Sequence, residues 1–221
     1  MPIIVYRFLV LGITTLAVVA PIALVVYQSF LTAPFFDRSA RLSLSAYSFV
    51  FAEDDFWQAL WTTAAIAGGM AAIAVPLGAL LAFLMVRTDV PGRQYLEPLI
   101  LIPIFVSAVV IAFGYVVAIG PVGIFSTLAK DVLGFVPWDL YSLFSLIAIA
   151  GLTHVPHVYL YSAAALRGLS TDLEEAARVS GANTLQVALN VSLPMIGPAI
   201  LFAGVLVFFL GFELFGLPLV L

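Results

Sequence analysis

No charged residue interrupts five long stretches of this chain: Phe8 to Phe36, Phe56 to Val86, Pro98 to Ala129, Leu140 to Leu166 and Val179 to Phe212. A helix needs about 20 apolar residues to cross a bilayer, and every run reaches that length once its flanking loops are trimmed. The pattern predicts five spans near 8–31, 58–86, 98–118, 140–166 and 195–217. With 64% of its 221 residues hydrophobic and 9% charged, the chain carries more apolar surface than a soluble core can hide. The expected fold class is an all-α membrane protein, a polytopic bundle of about five transmembrane helices.

The first run exceeds the roughly 7 to 15 apolar residues of a signal peptide, and Ala17-Val18-Val19-Ala20 before Pro21 is a poor cleavage site. It reads as a retained helix. Cysteine is absent, which excludes disulfides and leaves the redox compartment open. Arg7, Arg87, Arg93, Arg167 and Arg178 fall on one side of the predicted bundle, against Arg38, Arg41 and Lys130 on the other. That excess favours a cytoplasmic amino terminus and puts the connection from Arg167 to Pro194 in the cytoplasm.

This connection, RGLSTDLEEAARVSGANTLQVALNVSLP, is the one long polar interruption in the second half of the chain. Thr171 with Glu174 reads as a T-x-x-E capping box, so a helix is predicted from near Asp172. Asp172, Glu174 and Glu175 then occupy a first turn where carboxylates offset the positive end of the helix dipole. Gly181 stands where a left-handed cap favours a residue without Cβ. Asn183 with Gln186 repeats the capping pattern, predicting a second short helix to about Asn190, and Pro194 opens the next apolar span. Helices this short are marginal alone, so the loop needs bracing by its own spans or by a partner.

Glu175-Ala176-Ala177, three residues, Gly181, nine residues, then Val191-Ser192-Leu193-Pro194 resembles the EAA loop of binding-protein-dependent ABC importer permeases. The family pattern is E-A-A, three residues, G, nine residues, I-x-L-P. Val191 replaces the usual isoleucine and keeps its apolar role. The resemblance implies a type I ABC importer permease-like core whose cytoplasmic loop fits a groove on the ATP-hydrolysing subunit and transmits its closure to the membrane helices. By position it implies coupling roles for Thr171, Asp172, Glu174, Glu175, Ala176, Ala177, Gly181, Leu193 and Pro194. It also implies partners: ATP-binding cassette subunits carrying ATP and Mg, an extracytoplasmic solute-binding protein, and a second permease half or a second copy. The chain itself is expected to bind no cofactor, and its expected location is the cell inner membrane.

The resemblance divides the chain into a first helix and external loop over 1–55 and a permease-like core over 56–221. Family cores continue past the fifth span into a sixth helix, so the core is expected to be truncated before its last helix. Phe212 to Pro218, FELFGLP, is similar to a helix end in the iron(III)-type branch, which makes iron(III) one expected solute. Similar permeases handle inorganic anions, thiamine and polyamines.

Within the spans, Ala64, Gly68 and Ala72 recur every four residues ahead of Pro76, a spacing that suggests close helix contact. Pro76 and Pro156 are candidate kink points. Gly120-Pro121-Val122-Gly123 breaks the chain before an apolar segment, Ile124 to Leu133, read as a short surface helix, and Trp138 and Tyr141 mark re-entry at the interface. His154 and His157 share a helical face. Two imidazoles fall short of the three or four ligands of a zinc site, so no metal site is expected and a pathway or packing role is. The resemblance implies that aromatic and polar groups around this span line the translocation route, so Tyr159 is a further candidate for the pathway or gate and Tyr161 could contribute, with packing as the alternative for both tyrosines. Glu213, about 18 residues after Met195 and so roughly 27 Å along a helix, is expected near the far interface, as a gating carboxylate or as an acid that simply reaches water.

The only lysine, Lys130, follows Leu128-Ala129, so the chain has no phosphate-binding loop of its own and cannot be the ATPase. It has no H-E-x-x-H motif, no Ser-His-Asp set and no basic, aromatic-rich surface for nucleic acid. The expectation is a non-catalytic permease subunit working by alternating access in contact with membrane lipid. The alternative is an ion-gradient-driven secondary transporter, whose coupling groups would sit near the bilayer midplane, where only the histidine pair lies.

Overall fold

Four of the expected spans appear as long helices or as one sharply bent pair, and the remaining one is broken in two. The computed structural model describes residues 2–221, which are helical without a named strand among them. The chain divides into two units, Met1–Leu60 and Trp61–Leu221.

In the first unit α1 (Pro2–Ser29) carries the first apolar run, and a short α2 (Ser45–Ala52) occupies the following loop. A single antiparallel bridge joins Leu31 to Leu42, closed by Thr32 N–H to the Arg41 carbonyl at 3.0 Å and Ser43 N–H to the Phe30 carbonyl at 2.8 Å. Phe51, Phe56 and Trp57 cluster with rings edge to face or tilted, and Trp57 Nε1 donates to the Phe51 carbonyl at 3.1 Å.

Helix α3 (Asp54–Arg87) runs through the unit boundary, unbroken by Pro76. The second unit continues with α4 (Arg93–Phe105), α5 (Ala108–Ile119), α6 (Ile124–Leu133) and α7 (Leu143–Gly168). The expected third span, 98–118, is therefore two helices, interrupted at Val106 and Ser107, which adopt extended backbone. Ser107 caps nothing with its side chain, and the uniform apolar run hid the break. As expected, a glycine-bounded turn separates α5 from α6. Ser126 Oγ and Trp138 Nε1 both donate to the Ile119 carbonyl, each at 2.9 Å, satisfying a C-terminal carbonyl of α5 that has no helical partner.

Helix α7 is the centre of this unit, packed against α4 and α11 (Gly197–Phe212). One core cluster joins Met70 and Ala74 of α3, Ala112 of α5, Ile149, Ala150 and Val158 of α7, and Ala203 and Val207 of α11. Its close approaches rest on glycines: a Cβ on Gly78 would lie 2.6 Å from Val158 Cβ, one on Gly151 2.7 Å from Ile73 Cβ, and one on Gly211 2.6 Å from Ala67. The expected stripe of Ala64, Gly68 and Ala72 is not the seam. Ala72 is exposed, and nothing lies within 4 Å of a Cβ built on Gly68. The seam is turned to Met70, Ala74, Gly78 and Ala82, all buried, because α7 presents Val155 and Val158 to that face.

Candidate functional site

The polar connection folds as α8 (Asp172–Val179), α9 (Thr184–Val187), a π-helical turn (Ala188–Ser192) and α10 (Leu193–Met195) before α11 begins at Gly197. The expected second helix to Asn190 thus ends early and passes into π geometry, a one-residue widening common at functional positions. The Thr184–Met195 stretch meets α11 at 72°. The fifth span opens at Gly197 with Pro198 in its first turn, not at Pro194, which sits inside α10.

Gly181 adopts φ +92°, as a left-handed cap requires. Gly181 N–H donates to the Arg178 carbonyl and Ala182 N–H to the Ala177 carbonyl, both at 3.0 Å, the paired bonds of a Schellman motif. Asn183 and Gln186 form the expected reciprocal box, each side-chain oxygen accepting the other's backbone N–H at 2.9 Å. The first box does not form. Thr171 caps no backbone group, and its hydroxyl instead donates to Glu175 Oε1 at 3.2 Å.

Glu174 has been taken by a tertiary partner. Its Oε1 accepts from Arg87 Nε at 2.9 Å and from Ser192 Oγ at 2.8 Å, and the residue is 5% exposed. Arg87 Nη2 donates further to the Leu166 carbonyl at 2.8 Å and the Leu169 carbonyl at 3.2 Å, covering the C-terminal end of α7. A second ion pair joins Arg167 to Glu97. The bonded Arg167 guanidinium holds the Glu97 carboxyl below its usual range. Together the two pairs collect the end of α3, the start of α4, the end of α7 and α8 at one end of the bundle.

Beneath the loop lies a second apolar cluster, in which Ala188 and Ile196 join Ala82, Phe83 and Met85 of α3 and Tyr159, Ala163 and Leu166 of α7. Val187 and Ser192 are wholly buried. The outer face is different: Leu173, Val179, Leu185 and Leu189 are all more than half exposed, Val179 at 90%. Asp172, Glu175, Ala176 and Gly181 are exposed among them, Ala177 and Leu193 are half-buried, and Pro194 is exposed. Four large apolar side chains are thus left uncovered along a polar loop.

Residues 74–221 match the model of the binding-protein-dependent transport system inner membrane component. The chain belongs to that family. The permease is 27% identical over 155 residues to the molybdenum transport system permease protein ModB of Escherichia coli (strain K12), covering 70% of this chain and 67% of that one. It is 31% identical over 147 residues to the spermidine/putrescine transport system permease protein PotB of Haemophilus influenzae, covering 65% of this chain and 51% of that one. Its fold is similar to that in a crystal structure of a bacterial ABC transporter involved in import of the acidic polysaccharide alginate, with a TM-score of 0.76, 21% identity and coverage of 95% of this chain and 75% of that one. The permease thus spans about two thirds of the length of ModB and about half that of PotB. It is an all-α, multi-pass membrane protein with a type I importer-like core.

The other expected residues lie apart from the loop's outer face. His154 and His157 stack with ring centroids 5.3 Å apart. Since a carbonyl only accepts, His154 Nδ1 carries the proton it donates to the Ala150 carbonyl at 2.8 Å. His157 Nδ1 has no partner among the described residues. Tyr159 is buried in the loop-side cluster, its hydroxyl turned toward Glu97 without a close hydrogen bond among the described residues, while Tyr161 is exposed and meets Phe202 edge to face. Glu213 follows the last residue of α11 and is exposed. Sequence reasoning missed Arg87 and Ser192. Arg87 was visible as the charge that ends the second uncharged run, yet nothing local tied it to a carboxylate 87 residues later.

Proposed function

We propose that this permease is the transmembrane subunit of an ATP-driven importer, with the segment from Thr171 to Pro194 as its coupling element. The observation that carries this reading is the two-sided construction of the loop. Glu174 ties it to α3 and Ala188 joins the apolar cluster of α3 and α7, with Val187 and Ser192 buried, while Leu173, Val179, Leu185 and Leu189 are left uncovered. A groove on an ATP-binding cassette subunit, holding ATP and Mg, is the partner that such a short capped helix fits. Closure of that subunit pushes α8, and the bundle changes access from one side to the other.

In this reading the loop and the amino terminus are cytoplasmic, which the excess of arginine at that end supports. A solute-binding protein delivers cargo on the opposite side, and a second permease half or second copy completes the pathway. His154, His157 and Glu213 are candidates for its lining or gate, and Tyr159 for the packing behind it. ModB and PotB are named for molybdenum and spermidine/putrescine transport, and the solved structure concerns alginate. These names support a solute delivered by a binding protein and lend no support to iron(III) as the cargo.

The test is affinity purification of the complete tagged protein from detergent-solubilised membranes, comparing wild type with Gly181→Asp and labelling co-purified subunits with azido-ATP. An ATP-labelled subunit retained by wild type and lost from the variant is expected. If neither preparation carries one, the importer reading falls and an ion-gradient-driven carrier takes its place.

A further inference from the structure

We infer that Arg87 is the positioning residue through which motion of α8 reaches α3 and α7. This inference rests on the reading that α8 receives the ATPase. Glu174 is the one buried side chain of α8. The other side chains of α8 are exposed or half-buried, and a cleft of about 320 Å³ bordered by Arg87, Asp89, Arg93, Glu174, Glu175 and Arg178 among others opens beside the helix. A push on α8 can pass to α9 and the π-helical turn, on which the helix packs, but no buried apolar side chain of α8 carries it directly to α3 and α7. It has instead the Glu174 carboxylate, clamped by Arg87 Nε at 2.9 Å and by Ser192 Oγ at 2.8 Å.

The guanidinium converts that single point into a junction. Arg87 is the last residue of the 34-residue α3, and its Nη2 also holds the Leu166 and Leu169 carbonyls where α7 ends. One planar group thus ties α8 to the ends of two long membrane helices, and through Ser192 to the π-helical turn that leads into α11. Side-chain exposures of 11% for Arg87 and 7% for Glu174 leave the pair less screened than an open one, with both residues at the wall of the cleft. A lysine ammonium supplies one compact charge and cannot span the carboxylate and the carbonyls in the same fork geometry. Apolar contacts slide and re-form, whereas a charge-assisted fork holds direction. The geometry is that of a linkage and not only of a stabilising contact.

The experiment uses the complete permease assembled with its ATPase subunits in proteoliposomes. These 221 residues include no cysteine, so Phe144→Cys at the far end of α7, exposed in this structure, serves as the reporter among them. Its reaction rate with a membrane-impermeant maleimide is measured with and without ATP and orthovanadate. In the otherwise wild-type protein, nucleotide trapping is expected to change the rate severalfold. With Arg87→Gln the change should shrink below twofold while the ATPase co-purifies in wild-type ratio, and Arg87→Lys should restore part of it. Glu174→Gln, nearly isosteric, decides the matter if Arg87→Gln yields no folded permease, and the same loss of response is expected. A full nucleotide response in the assembled glutamine variant overturns the inference, as does loss of the ATPase itself, which would make Arg87 a support of the docking face alone. Absence of any ATPase from the wild-type preparation overturns the importer reading, and the inference with it.

Discussion

Arg87 Nε and Glu174 Oε1 lie 2.9 Å apart, 87 residues apart in sequence, in a pocket that leaves both side chains almost fully enclosed. A buried carboxylate of this kind is tolerable only while its charge and lone pairs are met. Ser192 supplies the second donor and is itself fully buried. Ser192→Ala should therefore destabilise the permease by about 1–3 kcal/mol, the cost of a buried acceptor losing one partner. Thermal unfolding in detergent measures this, and an unchanged midpoint would show that Arg87 alone satisfies the carboxylate.

Gly181 separates backbone strain from steric conflict. Its φ of +92° is unfavourable for any L side chain, yet a Cβ there would have nothing within 4 Å. Gly181→Ala should cost about 1–2 kcal/mol through the left-handed conformation alone. Asparagine should be better tolerated than alanine, and valine worse. ATPase retention on the purified permease should follow the order Gly, Asn, Ala, Val. A flat series would mean that the Schellman turn does not govern docking.

These two residues show what could and could not be read from the chain. Gly181 and the Asn183 and Gln186 box were legible because caps are local: the residues that satisfy one another lie within five positions. The long helices were legible because an uncharged run has no other way to sit in a bilayer. Thr171 and Glu174 had the same local grammar, but Arg87 offered Glu174 a charged partner in a buried site, and that outweighed a solvent-exposed cap. The break at Val106 and Ser107 and the rotation of the α3 seam were hidden for a related reason. Every residue around them is apolar or small, so composition cannot say which face another helix will occupy.

That rotation yields a prediction with its own control. A Cβ on Gly78 would lie 2.6 Å from Val158 Cβ and 2.9 Å from the Val155 carbonyl, whereas one on Gly68 meets nothing within 4 Å. Gly78→Ala should destabilise by about 1–3 kcal/mol through overpacking. Gly68→Ala should be neutral or stabilising by up to about 1 kcal/mol through helix propensity. Unfolding midpoints of the two variants in the same detergent compare them directly, and the reverse order would place the seam on the Gly68 stripe.

The Glu97 and Arg167 pair is more open, with side chains 27% and 48% exposed, so it is worth no more than about 1 kcal/mol. Because Arg167 holds the Glu97 carboxyl below its ordinary value of 4.5, the contribution is complete above that value and is lost as pH falls through the lower folded one. Glu97→Gln should lower stability slightly at pH 7 and reduce the loss of stability on acidification below about 4.5. Equal acid sensitivity in both proteins would assign the acid transition to other carboxylates.

Thr171 and Asn183 carry the same sequence signal with opposite structural outcomes, which makes their comparison the sharpest check on the loop. Asn183 Oδ1 accepts the Gln186 N–H at 2.9 Å and is reciprocated, so Asn183→Ala should cost about 1 kcal/mol. The Thr171 hydroxyl bonds only the Glu175 carboxylate among the described residues, at 3.2 Å, an exposed contact whose removal should cost a few tenths of a kcal/mol. Amide hydrogen exchange resolves the two, because α9 and α8 report separately. Faster exchange across Thr184–Val187 in Asn183→Ala, with α8 unchanged in Thr171→Ala, is the expected pattern. If Thr171→Ala instead loosens Asp172–Val179, the T-x-x-E box forms in solution and Glu174 divides its time between Thr171 and Arg87. In that case the clamp on α8 would be intermittent, and its release would be open to control by whatever binds the outer face.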